Sequence, residues 1–268
     1  MPVPVSPPEQ LLALASDFIR HNDALTALTL TGPAPAAAVL RHIPTTQHLA
    51  RAAHTAIDVL KHQPLHHTSA IRTGAVRLKQ LAYLATEAAD HLIDAMDVLD
   101  AIRAGSTDNA GPGLALREGL LGAASRVQLA RELTVLGPDD AFATAELLGT
   151  EMRRQDLAPG HEPTRLSTAQ LAALRSVAQG HVSITNWAGR NYVSSGESPL
   201  TISTIRALEA KDLLHRESLP HVADQERVHL TPTGYRALTA TFGHSRTSSS
   251  SSTRTARPMP ATAPSRAR

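Results

Sequence analysis

The chain has no cysteine. That absence excludes disulfides, thiol catalysis and cysteine-ligated zinc together. Aromatic side chains are nearly as scarce: they make up 3% of 268 residues, with one Trp, three Tyr and three Phe. A core must therefore be built from Leu, Ala, Ile and Val. Lysine is confined to Lys61, Lys79 and Lys211, so almost all positive charge is carried by arginine. No run of about 18 apolar residues occurs, which argues against a membrane span. The Pro-rich start from Met1 to Gln10 lacks the cationic opening of a secretory signal, and a cytoplasmic location is expected. Gly-x-Ser-x-Gly, His-Glu-x-x-His, a phosphate loop and Gly-x-Gly-x-x-Gly are all missing. Neither enzyme chemistry nor a cofactor is expected.

What is present is mostly helical periodicity. Hydrophobic residues make up 42% of the chain, ample for a core. Ser6-Pro7-Pro8-Glu9 has the chemistry of a helix start, with a capping hydroxyl, prolines in the first turn and an acid near the positive dipole end. The spacing predicts helices over about 8–21 or on to 30, then over 36–42, 47–61, 68–103, 114–136 and 138–157. The longest carries Leu78, Leu81, Ala85, Ala88, Leu92, Ala95, Leu99 and Ile102 at alternating steps of three and four, a heptad seam. Its partner is either residues 114–136 of the same chain or the same helix of a second subunit. Short breaks between these helices fit an antiparallel bundle over 8–158. Ala158-Pro159-Gly160-His161-Glu162-Pro163 reads as a domain boundary, and residues 244–268, with five arginines and no acid, read as a disordered tail.

Between boundary and tail the pattern changes. Ser167 or Thr168 caps a helix over 169–179. His181 to Ser194 then alternates apolar and polar residues around an Asn/Gly-containing turn, which predicts a hairpin. Ile202, Ile205 and Leu208 recur at three-residue steps on a short amphipathic helix whose other face carries Ser203, Thr204, Arg206, Ala207 and Lys211. Val228 and Leu230 end a strand, and Thr231-Pro232 starts another helix.

The runs Leu208, Glu209, Lys211, Asp212, Leu213, Leu214, Arg216 and Val228, Leu230, Thr231, Gly234 resemble the winged helix-turn-helix regulators of the MarR type. In those proteins the recognition helix ends L-E-x-K-G-L-V-x-R and the wing ends V-x-L-T-x-x-G. Asp212 stands where that pattern has Gly, and the hairpin stands where the family has a positioning helix. The resemblance implies a winged-helix-like domain over 165–243, within a mainly α chain of two domains. It further implies a DNA-binding transcriptional regulator, dimeric through the bundle. In it Ser203, Thr204, Arg206 and Lys211 enter the major groove while Arg190, Arg216 and Arg227 touch phosphates. The alternative is a protein-docking module that never meets DNA. Residues 161–243 hold eight basic and seven acidic groups, so the phosphate-binding charge has to come from placement rather than excess.

Three further groups have two readings each. Glu87, Asp90, His91, Asp94, Asp97 and Asp100 share one side of the long helix, as a metal site or as a solvated acidic face. A solvated face is expected, because no second Glu-x-x-His appears on another helix. The histidines at 48, 54, 62, 66 and 67 lack zinc spacing. Trp187 and Tyr192 flank the hairpin turn with Arg190. A lone Trp beside a small core is expected to be buried in it, with base stacking as the alternative.

Overall fold

The computed structural model describes residues 5–64, 66, 68–105, 112–157, 164–196, 199–219 and 222–244. Its elements run α1 (Pro7–Ala27), α2 (Pro35–Leu40), α3 (Ile43–His62), α4 (Ser69–Arg103), α5 (Pro112–Thr134), α6 (Gly137–Arg154) and α7 (Thr168–Ala178). There follow β1 (Ser183–Trp187), β2 (Arg190–Ser194), α8 (Ile202–Glu209), β3 (Leu214–Ser218), β4 (Gln225–Leu230) and α9 (Pro232–Thr239). The molecule is mainly helical, with one four-stranded antiparallel sheet ordered β2-β1-β4-β3. Among the described residues no helix is long and apolar enough to cross a membrane. The expected tail, from residue 245 on, and the boundary segment 158–163 lie outside the described residues.

Local chemistry explains most boundaries. Thr68 caps α4 by accepting from the Ile71 N–H, and Ser167 forms a capping box with Gln170 at the start of α7. Ser6 occupies the cap position of α1 without a side-chain bond. α1 takes the longer of its two expected extents, and α3 starts earlier than expected. α1 continues past His21 because Leu25 is fully buried, and α3 begins before Pro44, which sits in its first turn where a missing N–H costs nothing. On α4 the seam from Leu78 to Leu99 is buried at each heptad position. It packs inside the chain, mainly against α5 and α3, so α4 spends its apolar face on its own neighbours.

Two apolar clusters result. One joins α2, α5 and the C-terminal half of α4 around Leu25, Val39, Leu92, Leu99 and Val127. The other runs without interruption from Leu11, Phe18, Leu49, Leu81 and Leu148 of the bundle into Leu174, Ile184, Ile205, Leu208, Leu230 and Phe242. The bundle and the segment after residue 164 thus share a core. All three phenylalanines are spent there. Phe142 of α6 meets Phe242 edge-on at 6.2 Å, and Phe18 packs where a side chain on Gly137 would be.

A polar seam lies beside that core. Arg227 of β4 donates to both carboxylate oxygens of Asp23 in α1, at 2.9 and 2.6 Å, and to the Gly180 carbonyl at 2.9 Å. Arg20 of α1 reaches Glu217 of β3 at 3.1 Å. Between these pairs His229 is 2% exposed, 3.3 Å from the Ser16 hydroxyl and 3.6 Å from Glu217. Burial first, and then Arg20, push its pKa down to about 3, so the ring is neutral. The order Ser16, His229, Glu217 is that of a hydrolytic triad, but the serine is 4% exposed and sealed from substrate. It is a packing contact.

Candidate nucleic-acid interface

The short helix α8 is built to show one side. Thr201 caps it, accepting from the Thr204 N–H at 3.3 Å and sharing hydrogen bonds with the Ser203 and Thr204 hydroxyls. Ile205 and Leu208 are fully buried. On the other side Ser203, Arg206, Ala207 and Lys211 are exposed and Thr204 is half-buried. The helix packs on α7, β2 and β3.

The residues that carry the winged-helix resemblance turn out to fasten this helix. Asp212 takes the left-handed conformation, φ 56°, which glycine adopts most readily. Glu209, at the end of α8, accepts two bonds from Arg216 of β3 at 2.6 and 2.9 Å, and Glu226 of β4 adds a third at 3.3 Å. Thr231 donates its hydroxyl to the Asp212 carbonyl, and its N–H donates to Leu213 O at 3.0 Å. Gly234 must be glycine on steric grounds, since a Cβ there would lie 2.2 Å from that Leu213 carbonyl oxygen. These bonds join the helix, the second hairpin and α9 into one piece.

The expected contact residues therefore divide. Arg216 is held by two carboxylates, which raise its pKa further, and Arg227 is held by Asp23. Neither guanidinium is free for a phosphate. Arg190, Arg206 and Lys211 stay exposed. No described acid pairs with them, and Lys211 donates to the Arg165 carbonyl at 3.3 Å. Arg165, also exposed, joins this group. Sequence periodicity could not reveal it, because a contact between residues 165 and 211 is set by tertiary packing alone.

The hairpin β1–β2 forms in register, with Ile184 opposite Val193, Thr185 opposite Tyr192 and Trp187 opposite Arg190. Ala188 and Gly189 close it, both with positive φ, 51° and 73°, the mark of a tight two-residue turn. Ile184 is buried and faces the core. Trp187, three positions on, faces away. It is 70% exposed and Tyr192 is 49% exposed, with their rings 6.4 Å apart. The expectation of a buried Trp is thus corrected, and strand parity relative to Ile184 is the signal that would have found it.

A polar cleft of about 450 Å³ opens between the two hairpins, lined by Asn186, Asn191, Arg216, Asp224 and Glu226. Its two carboxylates make it unsuitable for an anion. On α4 the acidic side is partly paired, Asp94 with Arg126 at 3.7 Å and Asp100 with Arg103. No group of three metal-ligating side chains occurs among the described residues.

No family model, curated protein or solved structure matches the chain.

Proposed function

We propose that residues 165–243 act as a winged-helix-like unit that binds duplex DNA, with α8 in the major groove, and that the chain is a transcriptional regulator. One observation carries this reading: the outer side of α8 is open to solvent and carries Arg206 and Lys211, with no acid paired to them among the described residues. Ser203, Arg206, Ala207 and Lys211 are small or cationic, and small groups let a helix approach base edges closely. Arg165 and Arg190 supply backbone contacts. The phosphate set is thus Arg165, Arg190, Arg206 and Lys211, and Arg216 and Arg227 drop out because their charge is already neutralised.

A second reading has its own observation. β2 is an edge strand of the sheet, and an edge offers unpaired backbone groups to a partner protein's strand. The two readings respond differently to one experiment, anisotropy of a labelled duplex of mixed sequence with the full chain. If DNA is the partner, Arg206→Ala with Lys211→Ala weakens binding about tenfold or more, while the circular dichroism spectrum is unchanged. Equal binding by parent and double variant removes α8 from the interface. No binding at low salt leaves the docking reading.

A further inference from the structure

Beside Arg190, which the proposed duplex contact already uses, the hairpin tip carries two aromatic side chains that it does not. Trp187, Arg190 and Tyr192 lie on one face of β1–β2, because Trp187 pairs with Arg190, Thr185 pairs with Tyr192, and residues two apart along a strand share a side. The opposite face carries Ile184 and Val193 toward the core. The two aromatic rings are the most exposed on the sheet, tilted at 55° and 6.4 Å apart, and the guanidinium beside them has no acid paired to it among the described residues. The turn that presents them is two residues long, with both φ values positive, so it adds little chain entropy of its own. This is the only Trp in the chain. A sequence so poor in aromatics buries all three of its phenylalanines and leaves this indole in water.

Bare aromatic faces next to a guanidinium are what an unstacked nucleobase recognises: the ring supplies a sequence-tolerant stacking surface and the cation meets the adjoining phosphate. A paired base inside a duplex offers no free face. We infer that the hairpin tip is a stacking platform for an unpaired base, so that the preferred ligand is a duplex carrying a single-stranded extension rather than a blunt duplex. The inference rests on the nucleic-acid reading of the same unit, and its test separates the two.

Because Trp187 is the sole indole, emission excited beyond the tyrosine absorption band reports on this tip alone. The probes are a blunt duplex and the same duplex with a short oligothymidine overhang, each followed both by anisotropy of a label at the blunt end and by Trp emission. The overhang is expected to tighten binding about tenfold and to quench the emission strongly, whereas the blunt duplex binds with little quenching. Trp187→Ala abolishes the overhang preference and leaves blunt-duplex affinity as it was. Trp187→Phe, which keeps a ring, retains most of the preference. Blunt and overhang duplexes binding equally, with emission unchanged by either, overturns the stacking platform while leaving the groove contact standing. Absence of binding to both probes overturns the two readings together. Quenching by the overhang without any anisotropy change with blunt duplex would keep the platform and remove the α8 contact.

Discussion

Arginines in two regions of the small C-terminal unit meet opposite fates. On the face toward α1, Arg227 is locked to Asp23, and on the opposite face of the sheet Arg216 is locked to Glu209 and Glu226, with side chains only 20% and 22% exposed. Along the outer rim, Arg190 and Arg206 stand in solvent with no such partner among the described residues. The comparison teaches that a near-neutral unit can still present a cationic surface, because its Glu209, Glu226 and Glu217 are taken up by Arg216 and, from α1, by Arg20, and leave other arginines uncompensated. Charge counted along the chain cannot show this. What matters is which carboxylates are already taken.

That contrast can be broken from the seam side first. Gly234→Ala, which drives a methyl into the Leu213 carbonyl, is expected to cost about 3 kcal/mol, read from the urea midpoint. A neutral result would mean that α9 and the turn after α8 are not fastened as described. Asp23→Ala strands the Arg227 guanidinium in a half-buried site and is expected to cost roughly 2 to 3 kcal/mol, below the range for fully buried pairs because water still reaches this one. If that variant were as stable as the parent, the seam would be ornamental.

Acid should weaken the interior too. Burial holds His21 down to about 4 and His229 down to about 3, so both are neutral in the fold. The unfolded chain takes up protons at these rings once pH falls below about 6.5, while the folded chain does not until much lower. Stability is therefore undiminished above that pH. It falls by about 2 kcal/mol for each histidine by about pH 5. A midpoint that stays flat between neutral pH and about 5 would contradict the assignment of both rings as neutral. The rim gives the smallest expected effect: Arg206→Ala with Lys211→Ala changes stability by no more than about 0.5 kcal/mol. A larger loss would show that these cations serve the fold and not a partner.

Much of the fold was legible in the sequence because it rests on periodicity. The α4 seam, the hairpin at 183–194 and the Thr231-Pro232 helix start all depend on neighbours within a few residues. The candidate site was legible only in part. The face of α8 follows from Ile205 and Leu208, so Ser203, Arg206 and Lys211 could be assigned to solvent in advance. The partner of Arg227 could not, since Asp23 lies 204 residues away. Glu209, seven residues before Arg216 in the motif itself, was within reach of the sequence, but its pairing needs the turn at Asp212 to bring the two together. Trp187 was misjudged because an indole suggests burial by its size, whereas strand parity had already placed it opposite Ile184.

The most direct test of the central claim is the salt dependence of duplex binding. Each phosphate neutralised by a cation contributes about −0.9 to the slope of log affinity against log salt concentration. If the rim and not the seam meets the polyanion, removing Arg206 and Lys211 lowers the magnitude of that slope by about 2 relative to the parent. A slope identical in parent and double variant would contradict the account.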